Sequence, residues 1–231
     1  MVPQARNGAP VEAVTIVTDD GLSLEGELRF PEEPARASAV LCHPHPRHGG
    51  SKDHPILWAV RAELSSRGLA VLSFNFRGNM GSEGSYGDGV EEVADARAAI
   101  DVVRTRVEGP TFVFGWSFGA SVALREIVED RRVEALALLG FPLGDSVQLP
   151  PPPPDEQLAA LTAPVLLVAG DSDPFCPVDR LLELAGRIPK AEIEIVRGGD
   201  HYFPRREREV AALVGGFAGR TLLASDEGLA G

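Results

Sequence analysis

The chain is 231 residues long, the size of one domain, and its 44% hydrophobic and 24% charged residues match soluble globular proteins, not disordered ones. Acidic residues outnumber basic ones 34 to 22, for a formal charge of −12, a balance that disfavours nucleic acid and anionic lipid as partners. Arg205, Arg206 and Arg208 are interleaved with Glu207 and Glu209 and form no basic patch, and no apolar run reaches the ~18–20 residues of a membrane span. Cys42 and Cys176 supply neither a disulfide framework nor metal-ligand spacing, and Met1–Pro10 lack the charged and apolar regions of a signal peptide. The expectation is an acidic cytoplasmic domain with no nucleic-acid or membrane partner.

Alternating runs at Val14–Val17 and Leu22–Phe30, around Asp19-Asp20-Gly21, predict an opening hairpin. The pattern then changes. Ala39–Cys42 reads as a buried strand, and Pro55–Leu64 as a helix with Ile56, Leu57, Val60 and Leu64 on one face and Gly68 as its stop. A strand at Ala70–Phe76 precedes a helix at Val90–Val107, apolar at 93, 96, 99, 100 and 103. Thr111–Gly115 reads as a strand and Ala120–Val128 as a helix, followed by strands at Val133–Leu139 and Pro164–Ala169. A helix at Val178–Ile188, a strand at Ala191–Val196 and a helix at Phe203–Phe217 complete the pattern. Continuously apolar strands alternating with helices predict an α/β fold: a mostly parallel eight-stranded sheet, the first two strands antiparallel, with helices on both faces.

The one irregular connection lies between Phe141 and Ala163, where Pro150–Pro154 precedes a stretch, Asp155–Leu161, long enough for two helical turns. It reads as a stiff surface loop, with an isolated ligand for an aromatic groove as the weaker reading, and it leaves little room for a cap. Residues 1–10 and those after Gly219 are expected to be loose.

Gly115-Trp116-Ser117-Phe118-Gly119 matches G-x-S-x-G, a weak pattern made specific by its setting between an apolar strand and a helix. A turn that sharp needs glycines two residues either side, and it lifts Ser117 above the carboxyl edge of the sheet, where open α/β folds bind ligands. A hydroxyl nucleophile needs a base. Four of the five histidines crowd together at 43, 45, 48 and 54, while His201 stands alone after the last strand. Carboxylates after the preceding strand are Asp171 and Asp173, so the order Ser, Asp, His is met by Ser117, Asp173 or Asp171, and His201.

Across almost its whole length the chain resembles the α/β-hydrolase superfamily, and most closely small, lid-poor hydrolases related to the dienelactone-hydrolase group, with serine in place of their cysteine. The resemblance is carried by His43-Pro44-His45-Pro46, Phe74-Asn75-Phe76-Arg77-Gly78, Ser82-Glu83-Gly84, the 115–119 pentapeptide, Gly170-x-x-Asp173 and Asp200-His201. It implies the acid three residues after a strand-ending glycine, which favours Asp173 over Asp171, with Asp145 a minor alternative. Met80 departs from the pattern, standing where relatives tend to carry glycine.

Acyl transfer needs two N–H donors for the oxyanion. One is expected from the amide of Phe118. The other should come from the loop after the third strand, where prolines at 44 and 46 have no N–H and leave His45 as the donor. Three histidines at 43, 45 and 48 alternate in a proline-locked loop and do not converge on a metal with only Asp53 near, so a structural role is expected of them. Gly78–Gly89 lacks the Lys-Ser/Thr of a phosphate loop and reads as a wall of the site's mouth. Trp116 is expected in the core, Phe118 along the acyl pocket, and Cys176 as a bystander. The resulting expectation is a carboxylesterase-type serine hydrolase that needs neither metal nor cofactor and acts on short-chain or water-soluble esters. A thioesterase or peptidase with the same three residues, or a non-catalytic binding module, are the alternatives.

Overall fold

In the computed structural model, which describes residues 10–223, all eight strands join one sheet in the order β1-β2-β4-β3-β5-β6-β7-β8. The hairpin is β1 (Val11–Val17) and β2 (Ser23–Arg29), paired antiparallel from Val11↔Arg29 to Val17↔Ser23. β2 is also antiparallel to β4 (Leu69–Phe74), so it alone runs against the others. The remaining strands, β3 (Ala37–Cys42), β5 (Thr111–Trp116), β6 (Ala135–Leu139), β7 (Val165–Gly170) and β8 (Ala191–Val196), are parallel. Every residue of β3, β4, β5, β6 and β7 is buried, which is why these strands are continuously apolar but for Ser38, Ser73 and Thr111, and do not alternate.

The two faces are filled separately. α1 (Pro55–Ser66) and α6 (Glu207–Leu222) pack together and bury Ile56, Val60, Leu64, Val214 and Phe217 against Leu41, Phe112 and Phe114. On the other face, α2 (Glu92–Arg106), α3 (Phe118–Glu129), the short α4 (Asp155–Ala159) and α5 (Val178–Ala185) cover Val40, Leu72, Val113, Leu138 and Leu167. Alternate residues of β5 thus go to opposite cores, Phe112 and Phe114 to one and Val113 to the other. Each such side chain contributes about 1.5–3 kcal/mol by leaving water.

The differences from expectation are local. β4 ends at Phe74, two residues early, because Asn75 and Phe76 turn their polar groups onto loops: Lys52 N donates to Asn75 Oδ1 (2.8 Å) and Phe76 N to His43 Nε2 (3.1 Å). α6 starts at Glu207 because Phe203 and Arg205 hold positive φ (48° and 63°) on either side of Pro204. It also runs three residues past Gly219, so 220–222, expected to be loose, are helical. Pro10 is tied in as well, its carbonyl accepting from Phe30 N. The expected loose ends at 1–9 and 224–231 lie outside the described residues.

The topology sets the site's position. From β3 the chain moves outward to β4 and returns to β5 on the other side of β3, so the order reverses between β3 and β5. Ligands bind at such a switch point, outside the strands' carboxyl ends. The pairing Cys42↔Gly115 sets the two loops that leave those ends side by side.

Candidate active site

β5 enters α3 through a turn in which Ser117 is held at φ 53°, ψ −113°. A non-glycine residue there costs about 1–3 kcal/mol, which the surroundings must over-determine. Ser117 N donates to Leu139 O at 2.8 Å, and both glycines are demanded by contact. A Cβ on Gly115 would lie 2.5 Å from Gly119 O, and one on Gly119 would be 2.6 Å from His43 O and would overlap Cys42 O.

His201 reaches this serine from the loop after β8, and Asp173 reaches His201 from the loop after β7. His201 Nε2 is 2.8 Å from Ser117 Oγ, and its Nδ1 is 2.8 Å from Asp173 Oδ2. With a carboxylate accepting from Nδ1–H, Nε2 is left to accept the serine proton. Asp173 is fixed through its other oxygen, which accepts from the amides of Phe175 (2.8 Å) and Cys176 (3.1 Å). The main chain of His201 is held by Trp116 Nε1, which donates to His201 O at 3.3 Å, and the Phe175 ring packs 4.8 Å from the imidazole. All three side chains are buried. A hydroxyl, a base and an orienting carboxylate in this relation can carry nucleophilic attack on a carbonyl.

The other carboxylates have other work. Asp171 is exposed and accepts from Gly198 N at 2.7 Å, joining the β7 and β8 loops. Asp145 is an exposed partner of Arg180, and Asp200 caps the turn of Tyr202 and Phe203. Cys176 is buried, and burial pushes its thiol up to about 12.

The loop after β3 is anchored by His43, which is wholly buried. Its Nε2 accepts from Phe76 N, so its Nδ1 carries the proton and donates to Pro44 O at 2.6 Å. Burial holds this ring's pKa down at about 4, and it stays neutral. The anchored loop presents the His45 amide beside the start of α3. Among the described residues, neither that amide nor the Phe118 amide meets a protein acceptor. The Phe118 amide opens α3, where unpaired amides favour negative charge. The His45 ring itself accepts from Arg47 N (3.2 Å) and contacts Tyr86 Oη (3.0 Å). Among the described residues no three His, Cys, Asp or Glu side chains converge as metal ligands.

Ser117 and His201 open into a cleft of about 370 Å³. One wall is His45, Arg47 and Tyr86; the other is Val147, Gln148 and Leu149, with Tyr202 and Phe175 beside His201. Phe118 does not line it: the ring is fully buried beneath His45 and Tyr86, 5.3 and 5.7 Å away, because the helix that starts there turns it inward. Of the 78–89 segment, Tyr86 and Asp88 line the cleft. Two buried acids hold the segment, and nothing in their local sequence marks them. Asp95 accepts from Arg77 N, Nε and Nη2, and Glu92 accepts from Gly87 N and Gly89 N. Met80 takes the positive φ (49°) and leaves its side chain in solvent, so the turn is kept without glycine. The proline run is not a free ligand: Pro153 is buried, and Arg125 and Arg187 donate to the carbonyls of Pro151 and Pro153.

Comparison with known proteins agrees with this architecture. A family profile described as an alpha/beta hydrolase domain matches residues 36–214. An uncharacterised protein of Rickettsia prowazekii is 27% identical over 199 residues, spanning 83% of this chain and 82% of its own. An alpha-beta serine hydrolase homologue from Coxiella burnetii is 26% identical, with TM-score 0.77 over 89% of this chain and 96% of its own. A serine hydrolase without lid from Xanthomonas campestris, at 24% identity, shares the fold with TM-score 0.78 over 97% of this chain and all (100%) of its own. Matched by that profile over most of its length, and folded like lid-less serine hydrolases, the chain belongs to the alpha/beta hydrolase family.

Proposed function

We propose that this hydrolase cleaves carboxylic esters through an acyl-enzyme on Ser117. The observation that carries the reading is the pair of 2.8 Å contacts linking Ser117 Oγ, His201 and Asp173. Ser117 Oγ attacks the carbonyl carbon as its proton passes to His201 Nε2, and Asp173 keeps Nδ1–H in place and stabilises the imidazolium. The amides of His45 and Phe118 hold the oxyanion. Collapse expels the alcohol, which takes the proton from His201; water then repeats the sequence and releases the acid. Nothing in these steps calls for a metal or cofactor. The cleft lies near the small end of the about 300–1,000 Å³ usual for ligand sites, which supports short or compact esters.

The test is hydrolysis of 4-nitrophenyl acetate and butyrate, with fluorophosphonate labelling, by the wild type and Ser117→Ala. Loss of both in the variant is expected. Equal activity in both proteins would overturn the nucleophile, and better turnover of C12–C16 than of C2–C4 esters would overturn the substrate size.

A further inference from the structure

The hydrogen-bond directions around His45 leave one proton unassigned. Arg47 N–H donates to His45 Nδ1, so that nitrogen has no proton. Burial holds the ring's pKa down at about 4, so it is neutral and its single proton is on Nε2. Nε2–H therefore donates to Tyr86 Oη at 3.0 Å. The phenol proton must then point away from His45, and among the described residues no acceptor meets it. Tyr86 lines the cleft, and burial and the carboxylates of Glu92 and Asp88 keep it a phenol, a donor.

A second donor lies against it. The Arg47 guanidinium sits 4.6 Å from the centroid of the Tyr86 ring. Asp88 borders the same cleft, yet no carboxylate among the described residues, Asp88 included, comes within ion-pair distance of Arg47. Tyr86 packs on Phe118, the residue next to the nucleophile, so both donors belong to the space where a substrate of Ser117 would lie. A guanidinium over an aromatic face, beside a hydroxyl with a free proton, is matched by an anionic oxygen group.

We propose that Arg47 and the Tyr86 hydroxyl form a subsite for a carboxylate carried by the ester substrate. The subsite rests on the ester-hydrolase reading above and deepens it: the preferred substrates are half-esters or carboxylated esters. Arg47 supplies charge and Tyr86 supplies direction.

The experiment compares kcat/KM for two matched pairs, mono(4-nitrophenyl) adipate against 4-nitrophenyl hexanoate, and 4-acetoxybenzoate against its methyl ester. The first carries the carboxylate on the acyl side, the second on the alcohol side. Ratios are measured in the wild type, Arg47→Met, Tyr86→Phe and, as a control far from the cleft, Arg208→Met. In the pair whose carboxylate reaches the subsite, the anionic-to-neutral ratio falls about ten- to hundred-fold in Arg47→Met, as for a lost charged hydrogen bond, and less in Tyr86→Phe, while Arg208→Met keeps the wild-type ratio. Unchanged ratios in both pairs for both cleft variants would overturn the subsite. Adipate binding by calorimetry keeps this separate from the ester reading. If no ester is turned over, adipate binding weakened about tenfold or more in Arg47→Met still supports the subsite, and no binding by the wild type overturns it.

Discussion

Gly140, at the end of β6, lies directly under the His201 ring: a Cβ there would stand 3.3 Å from both Cε1 and Nδ1 and 3.4 Å from Asp173 Oδ2. Its φ is +55°, so two independent constraints demand glycine. Gly140→Ala is expected to cost about 1–2 kcal/mol of stability from the left-handed backbone alone. By shifting the imidazole it should also lower kcat about a hundredfold, as misplacement of a reacting group does. Denaturant titration and steady-state hydrolysis check the two effects separately, and an active variant at wild-type kcat would show that the ring has room to spare.

Asp173→Asn tests the division of labour between the two carboxylate oxygens. The oxygen facing the Phe175 and Cys176 amides must remain an acceptor, so the asparagine amide group would turn toward His201 Nδ1. That forces the proton onto Nε2, where it opposes Ser117. A loss of about 10⁴ in kcat with the fold intact is expected. Asp145→Asn, at an exposed ion pair, should change kcat less than twofold.

The buried His43 makes a pH prediction. Its folded-state pKa, about 4, lies below its ordinary 6.5, so between these values the unfolded chain takes up a proton that the folded chain refuses. Its contribution is whole above pH 6.5 and is lost as pH falls toward 4, by about 3 kcal/mol at most. In His43→Gln the denaturation midpoint should fall less steeply between pH 6.5 and 4 than in the wild type. An unchanged slope would show that the ring is not held neutral.

Glu126 works with the opposite sign. It is wholly buried on α3, and burial pushes its pKa from 4.5 up to about 7, while its partner Arg97, at 2.8 and 3.0 Å, pulls it back. Between pH 4.5 and 7 the folded chain keeps a proton that the unfolded chain releases, so this group destabilises the fold as pH rises through that window and no further above it. Glu126→Gln should remove that component, seen as a shallower decline, or a steeper gain, in denaturation midpoint from pH 5 to 7. A variant whose slope matches the wild type would place the proton elsewhere.

The parts legible in the sequence are those whose causes are local. The buried strands announce themselves as apolar runs, and the elbow shows through two glycines between a strand and a helix. Asp173 and His201 follow from their places after β7 and β8, and the structure brings them to Ser117. The starts of α3 and α6 are less legible. Gly119 looks like a helix breaker but is needed for contact with Cys42, while Phe203 continues an apolar period that its backbone, next to Pro204, does not follow. The direction of the Phe118 ring has a tertiary cause, since only the packing of His45 and Tyr86 over it shows which way it turns. The Arg77–Asp95 pair and the proton order through His45 join residues 18 and 41 positions apart, and no spacing rule predicts such partners.

The wall formed by residues 146–149 is fastened in an unusual place. Arg125 and Arg187 grip the carbonyl oxygens of Pro151 and Pro153, and Arg180 grips that of Leu143, so main chain is held on both sides of 146–149, with Asp145 and Asp155 adding side-chain ion pairs to Arg180 and Arg187. The prolines, lacking N–H groups and with φ preset, keep that main chain extended without any partner strand. Anchorage and selectivity are thereby uncoupled: Val147 and Gln148 can be exchanged over evolutionary time, reshaping what the cleft admits, while Ser117, His201 and the fastening of the wall stay as they are.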